Sequence, residues 1–389
     1  MRVAIVAEYY PRAADPALGV WAHRQALAAH DAGAEVQVLV LHRPVPSREA
    51  LRSRNPRRMI APLRQPLRAE IDGLTVTYVP FLAPPRPRSY GSWGAYAAAP
   101  LGVALRRMRR RFAYDLVHAH YGAPAADAVR RARPGTPYVA SVHGGDLLAV
   151  AHDSPAGARA VRRGLQGAAL TLANSAGMAA RARELGARDA RVVHLGTDIP
   201  GTVPAHHADR LVTVGHLIAR KRHADVLRAL WLLRESHPSA HYVVVGDGPE
   251  RGALERLAAQ LGLEDRVQLR GALPHAEAMR EAQSAAVFVL PSVDEAFGVS
   301  YIEAMAGGVP AVASRREPGP EEIRSVSDGI CLVAPGDPEG LAQTIGALLG
   351  DEAQRRRLGA AARAAVERHF TWEACGRATV RAYEDALLA

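Results

Sequence analysis

Short runs of β-branched and aliphatic residues alternate along almost the whole chain with stretches in which apolar residues recur every three or four positions. That alternation is the pattern of buried parallel strands joined by amphipathic helices. In the first half it predicts strands at 3–7, 35–41, 74–79, 116–119, 138–142, 170–173 and 192–195. Gly33 stands where a C-cap would end the first helix, and 44–66, rich in proline and arginine with little periodicity, reads as a loop. The second half repeats the theme, with strands predicted at 211–214, 242–245, 267–269, 287–290, 310–313 and 330–333. Between the two runs lies TDIPGTVPAHHADR, residues 197–210, whose Pro, Gly and small residues mark a linker. Beyond Pro338 the pattern is helical, with a break at HFTW, 369–372.

A chain of 389 residues is too long for one compact core and suits two. The expected architecture is α/β: two doubly wound, Rossmann-like domains at 1–198 and 199–368, with a C-terminal helix, 369–389, packing back on the first. Two such sheets would place their strand ends across a shared cleft, where ligands of doubly wound folds bind.

Composition narrows the class. Hydrophobic content of 48% with 23% charged residues excludes disorder. Two cysteines, Cys331 and Cys375, cannot build a disulfide framework, and no acidic, Cys or His cluster has metal-ligand spacing. No apolar stretch approaches the roughly 18 residues of a membrane-spanning helix, and the start, MRVAIVAEYYP, lacks a signal-peptide core. A cytoplasmic protein is expected. Residues 1–200 hold 28 Lys+Arg against 14 Asp+Glu, a balance of +14 within a total of +10. With aromatic residues at 5% and no groove-binding motif, nucleic acid is not the expected partner. An anionic membrane surface or an anionic acceptor fits the basic half, and so does a plain solvated surface in an arginine-rich chain.

Of 49 basic residues, 48 are Arg and one is Lys, at 221. One reading is chance retention; the functional reading is that a compact ammonium is needed there, which a planar guanidinium fork would not replace.

The richest segment is PSVDEAFGVSYIEAMAGGVPAVAS, residues 291–314. A buried strand feeds a loop with Glu295, then Phe297, Gly298, Val299 and Ser300, then a helix carrying Glu303. Gly298 allows a close backbone approach, and the helix start presents free N–H groups to an anion. That suits a diphosphate, with Glu295 and Glu303 reaching hydroxyls on either side of it. In LVTVGHLIARKRHADVLRAL, residues 211–230, a strand, Gly215 and a turn with Arg220 and Lys221 aim a cation at the same diphosphate, whose charge grows as it leaves. VVVGDGPERGAL adds Gly246 and Gly248, read as close approaches to a ligand, and Arg270 to Leu273 could edge a nucleobase. In the first half, VASVHGGDLL places His143 beyond a strand, able to bond a sugar hydroxyl without full charge. Gly19, ahead of a helix with His23 and Arg24, looks like a further anion or acceptor contact.

Together these segments resemble retaining glycosyltransferases of family 4, with GT-B architecture, over nearly the whole chain. EAFGVSYIE is similar to the family's E-x7-E, and VGHLIARKRHADVLRAL to its strand–turn–helix with Arg and Lys on the diphosphate. Lys221 takes the lysine position, while His216 stands where the arginine usually is. HGGD at His143 resembles the histidine that touches the donor hexose, LGTD at 195–198 the segment before the linker, and HFTWEACGRATVRAYEDAL the helix that crosses back. The N-terminal segment is similar to members acting in polysaccharide and teichuronic-acid-like pathways. The resemblance implies transfer from a nucleoside-diphosphate sugar, uridine favoured, to a hydroxyl acceptor, with retention, no cofactor and no bound metal. It implies catalytic roles for Lys221, Glu295 and His143, and donor contacts from Gly19, Arg220, Gly246, Gly248, Arg270, Leu273, Phe297, Gly298, Val299, Ser300 and Glu303. A nucleotide-sugar epimerase of the same architecture, or a catalytically silent sugar-nucleotide-binding subunit, would share these features.

Overall fold

The computed structural model describes residues 1–46, 50–51, 55–86 and 89–388. The chain divides into two compact units. Unit 1 comprises Met1–Leu195 together with the chain from Trp372 onward, and unit 2 comprises Gly196–Thr371. The expectation from sequence drew these limits at 198 and 368. Each unit is an α/β sheet with its own apolar core.

Unit 1 is built on β1 (Arg2–Ala7), β2 (Glu35–His42), β3 (Arg68–Ile71), β4 (Leu74–Pro80), β5 (Leu116–His120), β6 (Tyr138–Val142), β7 (Leu170–Ala173) and β8 (Ala190–Val192). Their order in the sheet is β3-β4-β2-β1-β5-β6-β7-β8, parallel except for β3. Strands β5, β6 and β7 are buried at every position, because helices cover both faces of the sheet and remove the usual in–out alternation. The last helix, Trp372–Leu388, belongs to this core through Cys375, Ala382, Tyr383 and Ala386. It lies against the helix Val20–Asp31 so tightly that a Cβ on Gly376 would come within 2.1 Å of the Ala28 carbonyl oxygen.

Unit 2 carries β9 (Arg210–Val214), β10 (His241–Val245), β11 (Val267–Gly271), β12 (Val287–Leu290), β13 (Ala311–Ser314) and β14 (Ile330–Val333). They are all parallel, in the order β11-β10-β9-β12-β13-β14. The strand order reverses between β9 and β12, so the loops leaving their carboxyl ends emerge side by side at a topological switch point. Those are the loops of Lys221 and Glu295.

Three local expectations are corrected. The stretch read as a loop at 44–66 contains a helix, Pro56–Ile60, capped by Asn55, and a 3-10 turn at Ala61–Arg64. Strand β3 was not foreseen; it pairs antiparallel with β4 through a turn in which Asp72 and Gly73 both adopt positive φ. The strand expected at 192–195 ends at Val192. The Val193 amide still donates to the Ala173 carbonyl, but Val193 and Leu195 are buried without a ladder of their own. An apolar run reports burial, which is not the same as pairing.

Candidate active site

In unit 2 the turn after β9 folds Lys221 inward. The sequence reading aimed its ammonium at a diphosphate; in the structure the ammonium has a partner within the chain. It is buried and bonds Glu295 Oε2 at 2.5 Å. The same oxygen accepts from Ser292 Oγ at 2.8 Å and faces Arg220 Nη1 at 3.7 Å. Ser292 also contacts the Tyr301 hydroxyl, which donates to the Leu290 carbonyl at the end of β12. The physical reason is local. The Arg220 carbonyl accepts from the Val293 amide, tying the two loops together. Burial pushes the Glu295 carboxyl up, but Lys221, Arg220 and the Ser292 hydrogen bond outweigh it and hold the group below the usual carboxylate range. Glu295 is therefore an anion at neutral pH, and Lys221, Ser292 and Arg220 all meet the same one of its oxygens.

The helix Val299–Ala306 starts at Gly298, whose φ is 80. A Cβ at Gly298 would lie 2.4 Å from two ring carbons of Tyr301, so packing within the chain demands the glycine before any ligand does. The amides of Val299 and Ser300 begin the helix, where unsatisfied N–H groups favour an anion. The Phe297 side chain is buried against Phe370, with ring centroids 5.7 Å apart, so only its backbone is available to a donor. Glu303 lies inside the helix. Burial, with a smaller contribution from Asp198, raises its carboxyl to about 7.

Other expected contacts take different places. A Cβ at Gly246 would sit 2.0 Å from the Gly215 carbonyl oxygen, and one at Gly248 would sit 2.4 Å from that of Leu217. These glycines let β10's loop approach the turn after β9, and the close approach assigned to a ligand is made by backbone. Gly19 caps its helix with φ 66 and presses on the Tyr9 backbone in the same way. Arg270 pairs with Glu281 at 3.0 Å. Leu273 is partly exposed beyond β11. Arg222 pairs with Asp225 at 2.6 Å and belongs to the helix start rather than to the site. His216 is exposed, and its carbonyl meets His223 Nε2.

In unit 1 the carboxyl ends of β1, β5 and β6 gather a second group of residues. His118 and His120 alternate along β5 and share a face. His118 bonds the Tyr383 hydroxyl and Ser141 Oγ, each at 2.7 Å. His120 Nδ1 meets His143 Nε2 at 3.0 Å, with the rings stacked 8° from parallel. Burial pushes His118 and His143 down to about 3 and takes His120 well below the imidazole range, so all three are neutral. Asp146 holds the HGGD loop, accepting from the amides of Gly122, His143 and Gly144. Around His143 stand Tyr121, at 5.5 Å, and Trp21, at 6.2 Å between ring centroids. Tyr121 has φ 86, a strained conformation for a bulky residue and one that persists where surroundings fix it. Sequence reading singled out His143 but missed His118, His120 and Tyr121; the H-A-H alternation at the end of a buried strand was the available signal. It also missed Ser292 and Tyr301, which only the folded loop brings to Glu295.

The neutral histidines set a pH dependence. A histidine near 6.5 unfolded and near 3 folded contributes stability above about 6.5 and loses it as pH falls toward 3. The melting temperature is expected to drop between pH 7 and pH 5. A melting temperature that stays level over that range contradicts the assignment of neutral, buried imidazoles.

A family model described as glycosyl transferases group 1 matches residues 202–365, and one described as glycosyltransferase family 4 matches residues 18–199. The chain is 31% identical over 306 residues to the D-inositol 3-phosphate glycosyltransferase of Thermobifida fusca, covering 70% of each chain. It is 34% identical over 206 residues to the lipopolysaccharide core biosynthesis glycosyltransferase LpsD of Rhizobium meliloti, covering 51% of this chain and 58% of LpsD. For three curated relatives the likeness spans only 18, 58 and 33% of the relative's own length. Among solved structures, Anabaena HepE in complex with UDP superposes with a TM-score of 0.72 at 18% identity, over 99% of this chain and 100% of that one. That last likeness is one of fold. No helix among the described residues is long and apolar enough to cross a membrane.

Proposed function

The chain belongs to the group 1, family 4 glycosyltransferases, and from that premise we propose that it transfers a hexose-type sugar from a nucleoside-diphosphate sugar to a hydroxyl acceptor, with retention of configuration. The observation that carries this reading is the buried Lys221–Glu295 pair beside the helix start at Gly298. A diphosphate at the amides of Val299 and Ser300 would lie next to two cations, Lys221 and Arg220. As the bond from the sugar to the phosphate breaks, negative charge grows on the leaving oxygens, and fixed donors stabilise it without reorganising. Because Lys221 is held by Glu295, its ammonium is oriented before the donor arrives. Arg220, half exposed, supplies the positive charge that His216 does not.

The reading needs no bound metal, since these cations and helix amides provide the charge a metal would. In a retaining transfer the departing phosphate can take the acceptor's proton on the same face. His143 keeps the role the resemblance implies, a neutral partner for a sugar hydroxyl. A uridine donor is favoured by the UDP bound in HepE, a likeness of fold. A melting-temperature screen with UDP-, GDP- and ADP-sugars tests the donor: one should raise the transition, and a response to none counts against the reading.

Glu303 is the proposed acceptor of two ribose hydroxyls, which requires its ionised form. With its carboxyl raised to about 7, binding must release a proton below that pH. Donor affinity is expected to be level above about pH 7 and to weaken about tenfold per unit below it. Glu303→Gln should lower affinity by about 1–3 kcal/mol and abolish the slope. Calorimetry showing a flat wild-type profile from pH 5.5 to 8 contradicts the ribose assignment.

A further inference from the structure

We propose that unit 1 holds a second ligand site, for a dianionic phosphoryl group, at the edge of its sheet opposite His143. The loops that precede β6, β7 and β8 enclose an open cavity of about 690 Å³. Tyr138, which opens β6, lines it, whereas His143 follows the other end of that strand. This site is therefore independent of the proposed transfer reaction.

Three arginines line the cavity, Arg130, Arg133 and Arg188, and no carboxylate does. Arg130 pairs with Asp127, which it shares with Arg131. Asp189, next to Arg188 in the chain, pairs with Arg191 instead. Among the described residues neither Arg133 nor Arg188 has an ion-pair partner, so two positive charges face the cavity uncompensated. The arginines act on a common centre: Arg130 and Arg188 both bias the Tyr138 phenol electrostatically.

Two buried polar atoms at the same place also lack partners, Arg130 Nε and Thr136 Oγ1. Buried donors of this kind are almost always satisfied, and each one left over calls for a group to meet it. Arg133 itself sits at a helix end with φ 50, a left-handed conformation that normally selects glycine or asparagine. The chain carries an arginine there, and that residue lines the cavity. Two free guanidinium forks and a hydroxyl match a tetrahedral dianion better than a carboxylate, which brings one charge and two oxygens. The phosphoryl group could be free phosphate, a phosphorylated small molecule, or the headgroup of an anionic lipid.

The test is equilibrium dialysis with inorganic phosphate at low ionic strength on the full chain, the double variant Arg133→Gln/Arg188→Gln, and Lys221→Ala. Both arginines are exposed, so the double variant should melt like the wild type. Phosphate binding is expected to persist in Lys221→Ala and to weaken at least tenfold in the double variant, whose donor affinity should be unchanged. Co-sedimentation with phosphatidylcholine vesicles, with and without phosphatidic acid, separates the sources. Arginine-dependent pelleting with phosphatidic acid assigns a lipid headgroup, and arginine-dependent phosphate binding without pelleting assigns a soluble ligand. The proposal is overturned if the double variant binds phosphate and vesicles as the wild type does, or if the wild type binds neither. Loss of binding in Lys221→Ala alone would place the phosphate in unit 2 and overturn it as well.

Discussion

Replacing Lys221 by alanine is expected to lower turnover by about 10²–10³-fold, the scale of losing one charge-stabilising donor. It should also destabilise unit 2 by about 3–5 kcal/mol, because Glu295 is left as a buried carboxylate without its closest cation. For a unit of this size that is a fall in melting temperature of about 10 °C. The two losses can be separated. In Lys221→Met/Glu295→Leu the buried charge is gone from both sides, and much of the stability should return. Turnover should not return, since no ammonium is present to meet the leaving diphosphate. Recovery of both would make the pair a purely structural one. Lys221→Arg should rescue only part of either loss, because a planar fork does not fit a place shaped for a compact ammonium.

Gly298→Ala is the second change with a large expected effect. The residue holds φ 80, and the new methyl would overlap the Tyr301 ring at 2.4 Å. Left-handed strain contributes about 1–2 kcal/mol and overpacking a further 1–3 kcal/mol. The relief available is to turn the helix start, which would displace the amides of Val299 and Ser300. Donor affinity should therefore fall at least tenfold along with the melting temperature. Wild-type donor affinity in a destabilised Gly298→Ala protein would show that these amides do not hold the diphosphate.

The two-sheet architecture was readable because buried parallel strands are short aliphatic runs, and ten of the fourteen residues of β5, β6 and β7 are aliphatic or tyrosine. Strand β3 escaped because its burial is partial and its four residues, RAEI, have no run. The Asp72-Gly73 pair that turns the chain into β4 was nonetheless a hairpin signal in plain sight. At the site, composition drew attention to Lys221, and the loop–glycine–helix pattern drew attention to Glu295. That they meet could not be read, since they stand 74 positions apart and are joined only by the reversal of strand order between β9 and β12. The same limit applies to the glycines. Sequence shows where a Cβ is forbidden, but Gly246 and Gly248 meet neighbouring backbone, a fact of packing that no local pattern records.

The most direct test of the proposed reaction needs no knowledge of the acceptor, because water can stand in for it slowly. Purified protein is incubated with an α-linked nucleoside-diphosphate hexose, chosen by the thermal screen, and the released sugar is followed by proton NMR before it mutarotates. The account predicts one nucleoside diphosphate per sugar, the α anomer appearing first, and a rate at least 10²-fold lower in Lys221→Ala. First release of the β anomer would contradict retention, and release of no nucleoside diphosphate from any donor would contradict the transfer reaction itself.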